Sequence, residues 1–506
     1  MISTLSVLAV SAVCLATLAI GAYGLRLSRT TSDFYVASRL VTPGWNASAI
    51  GGEYLSAASF LGIAGLVLVS GVDMLWFPVG YTAGYLLLLV LVAAPLRRSG
   101  AYTLPDFAEA RLESPTARRV AAVLVVTIGW LYLLPQFIGA GLTLQIATGA
   151  PRWVGAALVG AVVLASVLAG GMRSITLVQA FQYWIKLTAI AVPVVFLVAA
   201  WRSDGSPLPD DASWVTPLHA FEHPLYSTYS LILALFFGTM GLPHVLVRFY
   251  TNPDGAAARR TTLIVLALLG VFYLFPTVYG VLGKVYASDL VESRRADAVV
   301  LELPERLVGG TGGQLLAALL VAGAFAAFLS TSSGLAVSVA GVLSQDLVRS
   351  EVHRTVGGRI TGVRAFRGAS VLAVLVPFGL SLLGLQLAVA DVVGLAFAVA
   401  ASSFCPLLVL GIWWRRLTPV GAVAGLVAGG GLAGIAVVIT LVAGRGDGWS
   451  GALLAQPAAW TVPIAFVVMV VVSLRTPHRV PRSIARTMVA LHAPESLGLE
   501  PPRRSH

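Results

Sequence analysis

Apolar runs of about 20 residues recur along nearly the whole 506-residue chain, and this pattern restricts the fold more than any other feature. The hydrocarbon core of a bilayer is about 30 Å thick, and a helix needs roughly 20 apolar residues to cross it. The chain is 58% hydrophobic and only 11% charged, with a mean hydropathy of +0.88, which is too apolar for a soluble protein of this length. The sequence therefore predicts an all-α polytopic membrane protein.

The apolar runs predict about 13 transmembrane helices. They fall near residues 4 to 24, 44 to 71, 74 to 96, 120 to 147, 153 to 170, 175 to 200, 227 to 247, 262 to 287, 313 to 342, 368 to 385, 387 to 413, 419 to 443 and 457 to 474. The tenth and eleventh runs are separate spans only if the chain breaks around Gln386. We do not expect an enzyme, because no HExxH, paired Cys-His or nucleophile motif is present between or within the runs.

The net charge of +11 arises from basic residues that gather in short loops beside the apolar runs. This distribution indicates membrane topology rather than nucleic-acid binding. If the spans alternate, most Lys and Arg fall on one side, which the positive-inside rule assigns to the cytoplasm. We therefore expect a plasma-membrane protein with a retained first helix, its N-terminus outside and its C-terminus inside. Cys14 and Cys405 lie within apolar runs and are expected to be free thiols.

Two of the apolar runs are interrupted near mid-membrane by small and polar residues. The second contains Gly51–Ser59 (GGEYLSAAS), and the seventh contains Phe236–His244 (FFGTMGLPH). In lipid, a helix can be interrupted only where its freed backbone groups meet protein, ions or an aqueous cavity. Four runs separate the two, which is the pattern of two inverted five-helix repeats with a binding site between them. The alternative is that Gly and Pro only help these helices to pack.

The ninth run carries a cluster of hydroxyl residues that includes Ser330 and Thr331. Hydroxyl and carbonyl oxygens are the hard ligands that a small cation needs. A Na⁺ bound by carbonyls of the broken second run and by these hydroxyls would be typical of broken-helix transporters. The alternative is that the hydroxyls bond back to carbonyls of their own helix or pack at helix contacts.

Three titratable residues lie at membrane depth: Lys186, Glu53 and His244. Lys186 lies about two helical turns beyond Gln179, on the same face of its helix. An intramembrane lysine is a functional candidate because a lone ammonium in lipid is costly: it either attracts a carboxylate substrate or couples transport to protons. The structural alternatives are an ion pair with Glu53 and a snorkelling side chain. For Glu53 and His244, a coupling role and an ordinary hydrogen-bonding role both stay open.

Small hydroxyls and unpaired amides at the two breaks suit a small monocarboxylate as cargo. Helix-end amides carry partial positive charge and attract anions. Phe236 and Phe237 are candidates for a gate over the pocket, with ordinary packing as the alternative. The residues predicted to bind the substrate are Ser56, Ser59, Gln136, Gly238, Thr239 and Gly241.

Several motifs together resemble the sodium:solute symporter family. They are the Ser330-Thr331 pair with Ala327 three residues before it, the segment Gly52–Ser59, and the loop sequences Tyr102–Phe107 (YTLPDF) and Gly170–Arg173 (GGMR). The resemblance extends over roughly residues 30 to 415. Within the family, the segments Gly51–Gly62 (GGEYLSAASFLG) and Gly238–His244, with Arg248-Phe249, are most similar to the cation/acetate permease branch.

The resemblance implies a LeuT-like core of two inverted five-helix repeats, with one helix before it and two after. It implies a Na⁺ site formed by the carbonyls of Gly52, Leu55 and Ala327 and the side chains of Ser330 and Thr331. Ala is common in the family at position 52, and a carbonyl ligand tolerates that exchange. A further acidic position of the family falls on Gln179, which removes the carboxylate of a second Na⁺ site.

These expectations divide the chain into six parts. They are a first helix with a cytoplasmic linker (1–43), a first inverted repeat (44–200), an extracellular loop (201–225), a second inverted repeat (226–416), two further helices (417–475) and a cytoplasmic basic tail (476–506).

We therefore expect a secondary active symporter that couples Na⁺ influx to the uptake of a small monocarboxylate such as acetate. Na⁺ is the coupling ion, no other cofactor or metal is expected, and the functional unit is a monomer in the lipid bilayer. Three alternatives stay open. They are a proton-coupled carrier, motivated by Lys186, Glu53 and His244, a sodium symporter for another small organic solute, and a transporter-like sensor.

Overall fold

The structure is a computed structural model that describes residues 4–25, 40–349, 362–383 and 389–497. Within these residues the chain is helical and has no β-strand, which confirms the predicted fold class. Cys14 and Cys405 are buried free thiols. The predicted break at Gln386 and the end of the basic tail lie outside the described residues.

The first half of the chain contains ten helices, α1 to α10, among the described residues. In chain order they are α1 (Thr4–Leu25), α2 (Pro43–Tyr54), α3 (Ile63–Ser70), α4 (Trp76–Leu87), α5 (Ala93–Arg98), α6 (Leu104–Leu112), α7 (Pro115–Thr148), α8 (Arg152–Ser203), α9 (Pro224–Gly241) and α10 (Pro243–Phe249). A π-helical turn at Ala58–Gly62 precedes α3, and a second one at Leu88–Val92 precedes α5.

The helices of the second half begin after α10. They are α11 (Gly255–Tyr286), α12 (Asp289–Glu292), α13 (Val299–Leu307), α14 (Gly310–Arg349), α15 (Gly362–Ser381), α16 (Val389–Trp413), α17 (Pro419–Gly425), α18 (Gly431–Ala443), α19 (Gly448–Ala455), α20 (Ala458–Arg475) and α21 (Ile484–His492). A π-helical turn at Leu426–Gly430 joins α17 to α18.

Ten helices among the described residues are long and apolar enough to cross a membrane, and α9 with α10 forms an eleventh span that bends by 42°. Two features reconcile this number with the prediction of about 13. The stretch Ala58–Arg98 is counted once, but it turns at Gly71, whose φ is 65°. The segment Arg152–Leu168 is apolar but shorter than the other spans. When each is counted as a span of its own, the described part of the chain matches the prediction.

The loop sequence Gly170–Arg173 falls inside α8, which is helical from Arg152 to Ser203. Ser174 donates a hydrogen bond to the Gly21 carbonyl at 2.9 Å, and Ser166 lies against the same glycine. A straight helix would separate two residues eight positions apart by about 12 Å along its axis. The chain therefore bends sharply between the two serines.

Both predicted interruptions are present. The second span leaves the helix at Leu55, where ψ is 85°, and resumes within a few residues as a π-helical turn. The seventh span ends at Gly241, passes through Leu242 in an extended conformation and restarts at Pro243. A proline disfavours the helical conformation in the residue before it, which explains the position of this second break.

Glycines set the close packing of α9 against α16. A Cβ on Gly238 would lie 2.6 Å from the carbonyl oxygen of Phe397, and one on Gly241 would lie 2.4 Å from that of Ala400. Small residues at helix contacts allow backbones to approach this closely. These two glycines therefore fix the second broken span against α16.

The described part of the C-terminal tail contacts the helices on its side of the protein. It forms the amphipathic helix α21, and Glu495 just beyond it pairs with Arg98 at 3.3 Å from the end of α5. Glu495 also accepts the backbone N–H of Gly255 at 2.7 Å. The tail therefore contacts both the end of α5 and the start of α11.

Candidate cation and substrate site

The predicted Na⁺ ligands meet where α14 passes the break of the second span. Ser330 Oγ donates to the carbonyl of Gly52 at 2.6 Å and lies 3.0 Å from the carbonyl of Ala327. Thr331 Oγ1 donates to the carbonyl of Glu53 at 2.6 Å. All of these residues are buried. The hydroxyls of the ninth predicted span therefore bind backbone carbonyls that the broken helix has freed.

The ammonium group of Lys186 lies among these same oxygens. Its Nζ is 2.5 Å from the carbonyl oxygen of Gly52, 2.7 Å from that of Leu55 and 2.9 Å from Ser330 Oγ. An ammonium has three donors and no acceptor, so these three contacts use all of its hydrogens. Each of the three acceptors belongs to the predicted Na⁺ ligand set. The lysine side chain thus stands at the position predicted for the cation.

Glu53 pairs with an arginine instead of Lys186. Glu53 Oε2 is 2.7 Å from Arg248 Nε, and the two side chains are only 1% and 0% exposed. Arg248 also donates to Thr176 Oγ1 at 2.7 Å and to the side-chain oxygen of Gln179. The ion pair between Lys186 and Glu53, which was one structural alternative, is therefore not formed. Lys186 is fully buried, which excludes the other alternative, a snorkelling side chain.

Gln179 connects the ion pair to the cation position. Its amide nitrogen donates to the carbonyl of Ser330 at 2.7 Å while its oxygen accepts from Arg248. Side chains from α2, α8, α10 and α14 thus form one hydrogen-bonded network. Sequence reasoning missed the role of Arg248, although a basic residue directly after the apolar seventh run was a visible signal.

Glycines make room for this network. A Cβ on Gly52 would lie 2.2 Å from the backbone oxygen of Gln179, so the expectation that alanine is tolerated at position 52 is wrong for this packing. A Cβ on Gly334 would lie 2.0 Å from Glu53 Oε1. The close approach of α2 to α8 and α14 depends on the absence of both side chains.

A group of buried aromatic residues, here called the aromatic cluster, lies beside the two breaks. It consists of Tyr54, Tyr81, Tyr85, Tyr132, Tyr273 and Phe397. The ring centroid of Phe397 is 4.9 Å from that of Tyr81, 5.8 Å from that of Tyr132 and 6.1 Å from that of Tyr54. Sequence reasoning did not find this cluster, because its members come from five distant segments.

Several predicted substrate residues are already bonded within the protein. Ser59 Oγ lies 3.0 Å from the hydroxyl of Tyr273, and Thr239 Oγ1 lies 2.7 Å from that of Tyr54. Gln136 accepts the backbone N–H of Ala57 at 3.1 Å, directly after the first break. Gln136 therefore satisfies an amide that the interrupted helix leaves free, as the physics of lipid requires.

Ser56 and His244 differ in their surroundings. The buried hydroxyl of Ser56 interacts with that of Tyr132, whereas both ring nitrogens of His244 are buried without a hydrogen bond. The His244 ring lies edge-on to Tyr132, with centroids 5.2 Å apart. The predicted gate residues lie elsewhere: Phe236 contacts Phe237, and Phe237 packs on a small apolar cluster that includes Val462 of α20.

The described residues contain no group of three or more His, Cys, Asp or Glu that could hold a metal ion. The polar atoms at the break are instead carbonyl and hydroxyl oxygens around a positive charge. Such a donor set fits an alkali cation or an ammonium better than a transition metal.

An all-helical membrane fold with two broken helices around a buried cation position is that of a secondary transporter. The model of the sodium:solute symporter family matches residues 34–429, and the chain belongs to this family. This confirms the resemblance inferred from the motifs.

Two curated relatives match most of the chain. An uncharacterized symporter, YwcA, of Bacillus subtilis (strain 168) is 32% identical over 468 residues, which is 89% of this chain and 90% of that protein. A monocarboxylic acid transporter of Corynebacterium glutamicum is 31% identical over 482 residues, 88% of this chain and 87% of that protein.

Two solved structures share the fold. A Na⁺-coupled sialic acid symporter in its substrate-bound outward-open state has a TM-score of 0.70 at 13% identity and covers 94% of this chain and 98% of its own. Mhp1, a nucleobase-cation-symport-1 family transporter in a closed conformation, has a TM-score of 0.58 at 14% identity and covers 91% of this chain and 99% of its own. The chain thus has the LeuT-like fold that the motifs implied.

Proposed function

We propose that the chain is a symporter that carries a small monocarboxylate such as acetate into the cell, coupled to a cation at the break of the second span. The observation that carries this proposal is the convergence of freed carbonyls and hydroxyls from α2 and α14 on one buried cation position. Family membership supports the symport mechanism. The relative named a monocarboxylic acid transporter supports the class of cargo.

The first candidate for the coupling ion is Na⁺. The family and the fold shared with a Na⁺-coupled symporter support it. For Na⁺ to bind, the Lys186 ammonium must leave the carbonyls of Gly52 and Leu55, which would then turn to the ion together with the carbonyl of Ala327 and the hydroxyls of Ser330 and Thr331. Bound Na⁺ would hold the broken helix against α14, and inward flow of Na⁺ across the plasma membrane would drive uptake.

The second candidate is the proton, and the contacts of Lys186 favour it. Its ammonium makes the contacts that a bound cation would make, so the site is complete without Na⁺. Lysine can release its proton inside a protein whereas arginine cannot. The chain has 33 basic residues, of which only Lys186 and Lys284 are lysines, so the buried position holds the rarer and titratable type.

Uptake of labelled acetate into proteoliposomes, with Na⁺ and pH gradients imposed separately, tests these proposals. Uptake driven by Na⁺ at equal pH supports the first candidate, and uptake driven by a pH gradient without Na⁺ supports the second. Protein-free liposomes correct for neutral acetic acid that crosses the bilayer unaided. Lys186→Met should change the response to one of the two gradients, whereas Lys284→Met, in a partly exposed pair with Asp211, should not.

Binding without translocation would contradict the transport function and favour a sensor. Absence of uptake of any monocarboxylate under either gradient would contradict the proposed cargo. The proposal also includes the topology, with the N-terminus outside and the C-terminus in the cytoplasm, and a monomer as the functional unit. The topology is tested by labelling cysteines introduced near the two termini with a membrane-impermeant reagent, in intact and in permeabilised cells.

A further inference from the structure

The segment that follows the last predicted span, residues 476–495, crosses the ends of several other helices and is called the tail strap here. Its Glu495 pairs with Arg98 at the end of α5, 3.3 Å away, and accepts the backbone N–H of Gly255, the first residue of α11, at 2.7 Å. α5 lies in the predicted first inverted repeat and α11 in the predicted second. One carboxylate of the tail strap therefore contacts both repeats.

Two further contacts of the tail strap also lie at helix ends. The hydroxyl and the backbone N–H of Ser483 both donate to the Glu113 carboxylate, between α6 and α7. The ring of His492 lies 4.9 Å from that of Trp413, the last residue of α16. Tryptophan is enriched where spans leave the bilayer. The tail strap therefore lies at the level of the membrane surface, against elements of both repeats.

The apolar face of α21, the helix of the tail strap, packs against the protein. Ile484, Thr487, Met488 and Leu491 follow the i, i+3, i+4, i+7 spacing of one helix face. Leu491 is buried and the other three are partly buried, whereas Arg486 on the other side of α21 is exposed. A free amphipathic helix at a membrane would instead bury its apolar face in lipid. In this structure protein covers that face, and the charged side of the tail strap points away from it.

Four arginines form an exposed positive cluster on this segment. Arg475, the last residue of α20, is followed by Arg479, Arg482 and Arg486, and all four side chains are exposed. None of their guanidinium groups forms an ion pair or a hydrogen bond within the described residues. The sequence has no Asp or Glu from residue 448 to residue 494. An unpaired cluster of positive charge therefore begins directly at the end of the last span.

Anionic phospholipid headgroups are the partner that fits this cluster. A group of about four to eight basic residues directly beside a span is attracted to an anionic leaflet. The guanidinium group binds phosphate oxygens through two parallel hydrogen bonds. A dissolved anion has the same charge, but the tail strap lies at the level of the headgroups, so these are the anions nearest to it.

We propose that these arginines bind anionic phospholipid headgroups and so hold the tail strap docked across both repeats. Docking fixes the arginines beside the bilayer, whereas an undocked tail strap would first have to be ordered to present them together. A ligand that binds the docked state better shifts the equilibrium toward it. Because transporters of this fold work by movement of one repeat against the other, lipid charge would then regulate opening on this side of the membrane. The inference requires no particular cargo or coupling ion.

The test measures how often the tail strap leaves the protein. Ala490 is 7% exposed, so Ala490→Cys should react with a water-soluble maleimide only when the tail strap undocks. The native Cys14 and Cys405 are buried. The labelling rate is measured in nanodiscs of phosphatidylcholine alone or mixed with phosphatidylglycerol. Phosphatidylglycerol should slow labelling by about fivefold for each arginine that reaches a headgroup. High salt should remove most of this protection by screening.

A pair of arginine variants separates the tail strap from charge in general. Arg479→Gln/Arg482→Gln, combined with Ala490→Cys, should lose most of the protection by phosphatidylglycerol. Arg415→Gln/Arg416→Gln is the matched control, because it removes the same charge from two exposed residues beyond the end of α16. This control should leave the protection unchanged. A loss confined to the first pair means that the tail strap recognises the lipid.

Glu495→Gln tests whether contacts with both repeats hold the tail strap, and it should speed labelling in both bilayers. An unchanged labelling rate overturns the docking across the repeats. Equal rates for Ala490→Cys with and without phosphatidylglycerol overturn the inference as a whole, as does full protection of the Arg479→Gln/Arg482→Gln variant. Equal protection by dissolved phosphate or polyglutamate in phosphatidylcholine alone overturns lipid as the partner.

Discussion

The buried ion pair of Glu53 and Arg248 should contribute strongly to the free energy of unfolding. Its atoms are 2.7 Å apart, and both side chains are excluded from solvent. Replacing Arg248 by Met leaves the Glu53 carboxylate buried without its countercharge and also removes the hydrogen bonds to Thr176 and Gln179. Breaking a buried pair on one side costs about 3–5 kcal/mol, whereas an exposed pair contributes about 0–1 kcal/mol.

Denaturant unfolding of the purified protein, followed by tryptophan fluorescence, measures this cost. We expect Arg248→Met and Glu53→Gln each to lower the free energy of unfolding by several kcal/mol. The double variant should lose clearly less than the sum of the two, because the second change removes a charge that the first has already left unpaired. Arg295→Met, which breaks a partly exposed pair with Glu302 at 2.6 Å, is the matched control.

Two results would refute this reasoning. One is an Arg248→Met variant no less stable than Arg295→Met. The other is a double variant whose loss equals the sum of the single losses, since additive changes would mean that the two side chains do not act as a pair.

Three further predictions concern steric fit, the cation ligands and pH. Gly52→Ala should destabilise the fold, because its Cβ would lie 2.2 Å from a backbone oxygen; a wild-type melting temperature would contradict this. If Na⁺ couples transport, the double change Ser330→Ala/Thr331→Ala should raise the Na⁺ concentration needed for half-maximal uptake, and an unchanged Na⁺ dependence would remove these ligands. Burial raises the pKa of Asp297 from its usual 3.8 to about 6. The folded state then favours the protonated acid, so stability should fall as the pH rises from about 4 to about 6, by up to about 3 kcal/mol. Asp297→Asn should abolish this fall in unfolding curves recorded across that range, and an unaltered pH dependence would show that another group causes it.

The sequence by itself determined the fold class and the positions of the two helix breaks. Apolar runs long enough to cross a bilayer left a helical membrane protein as the only solution, because lipid cannot satisfy free backbone groups. The same rule marked Gly52 to Ser59 and Gly238 to His244 as breaks, and both are present. Motifs in these segments, together with the Ser330-Thr331 pair and two loop sequences, were sufficient to predict the family, which the family match confirms.

Only the tertiary structure decided which side chains meet at the breaks. Lys186 lies 134 residues from Gly52, and Arg248 lies 195 residues from Glu53, so no local pattern could pair them. Sequence reasoning considered Lys186 with Glu53, but the packing of α8 against α2 directs the lysine to the carbonyls and leaves the carboxylate to Arg248. The aromatic cluster was also invisible, since a buried tyrosine in an apolar run has the same local pattern whether it packs or binds. Periodicity and composition report on one helix at a time, whereas a binding site depends on the relative positions of several.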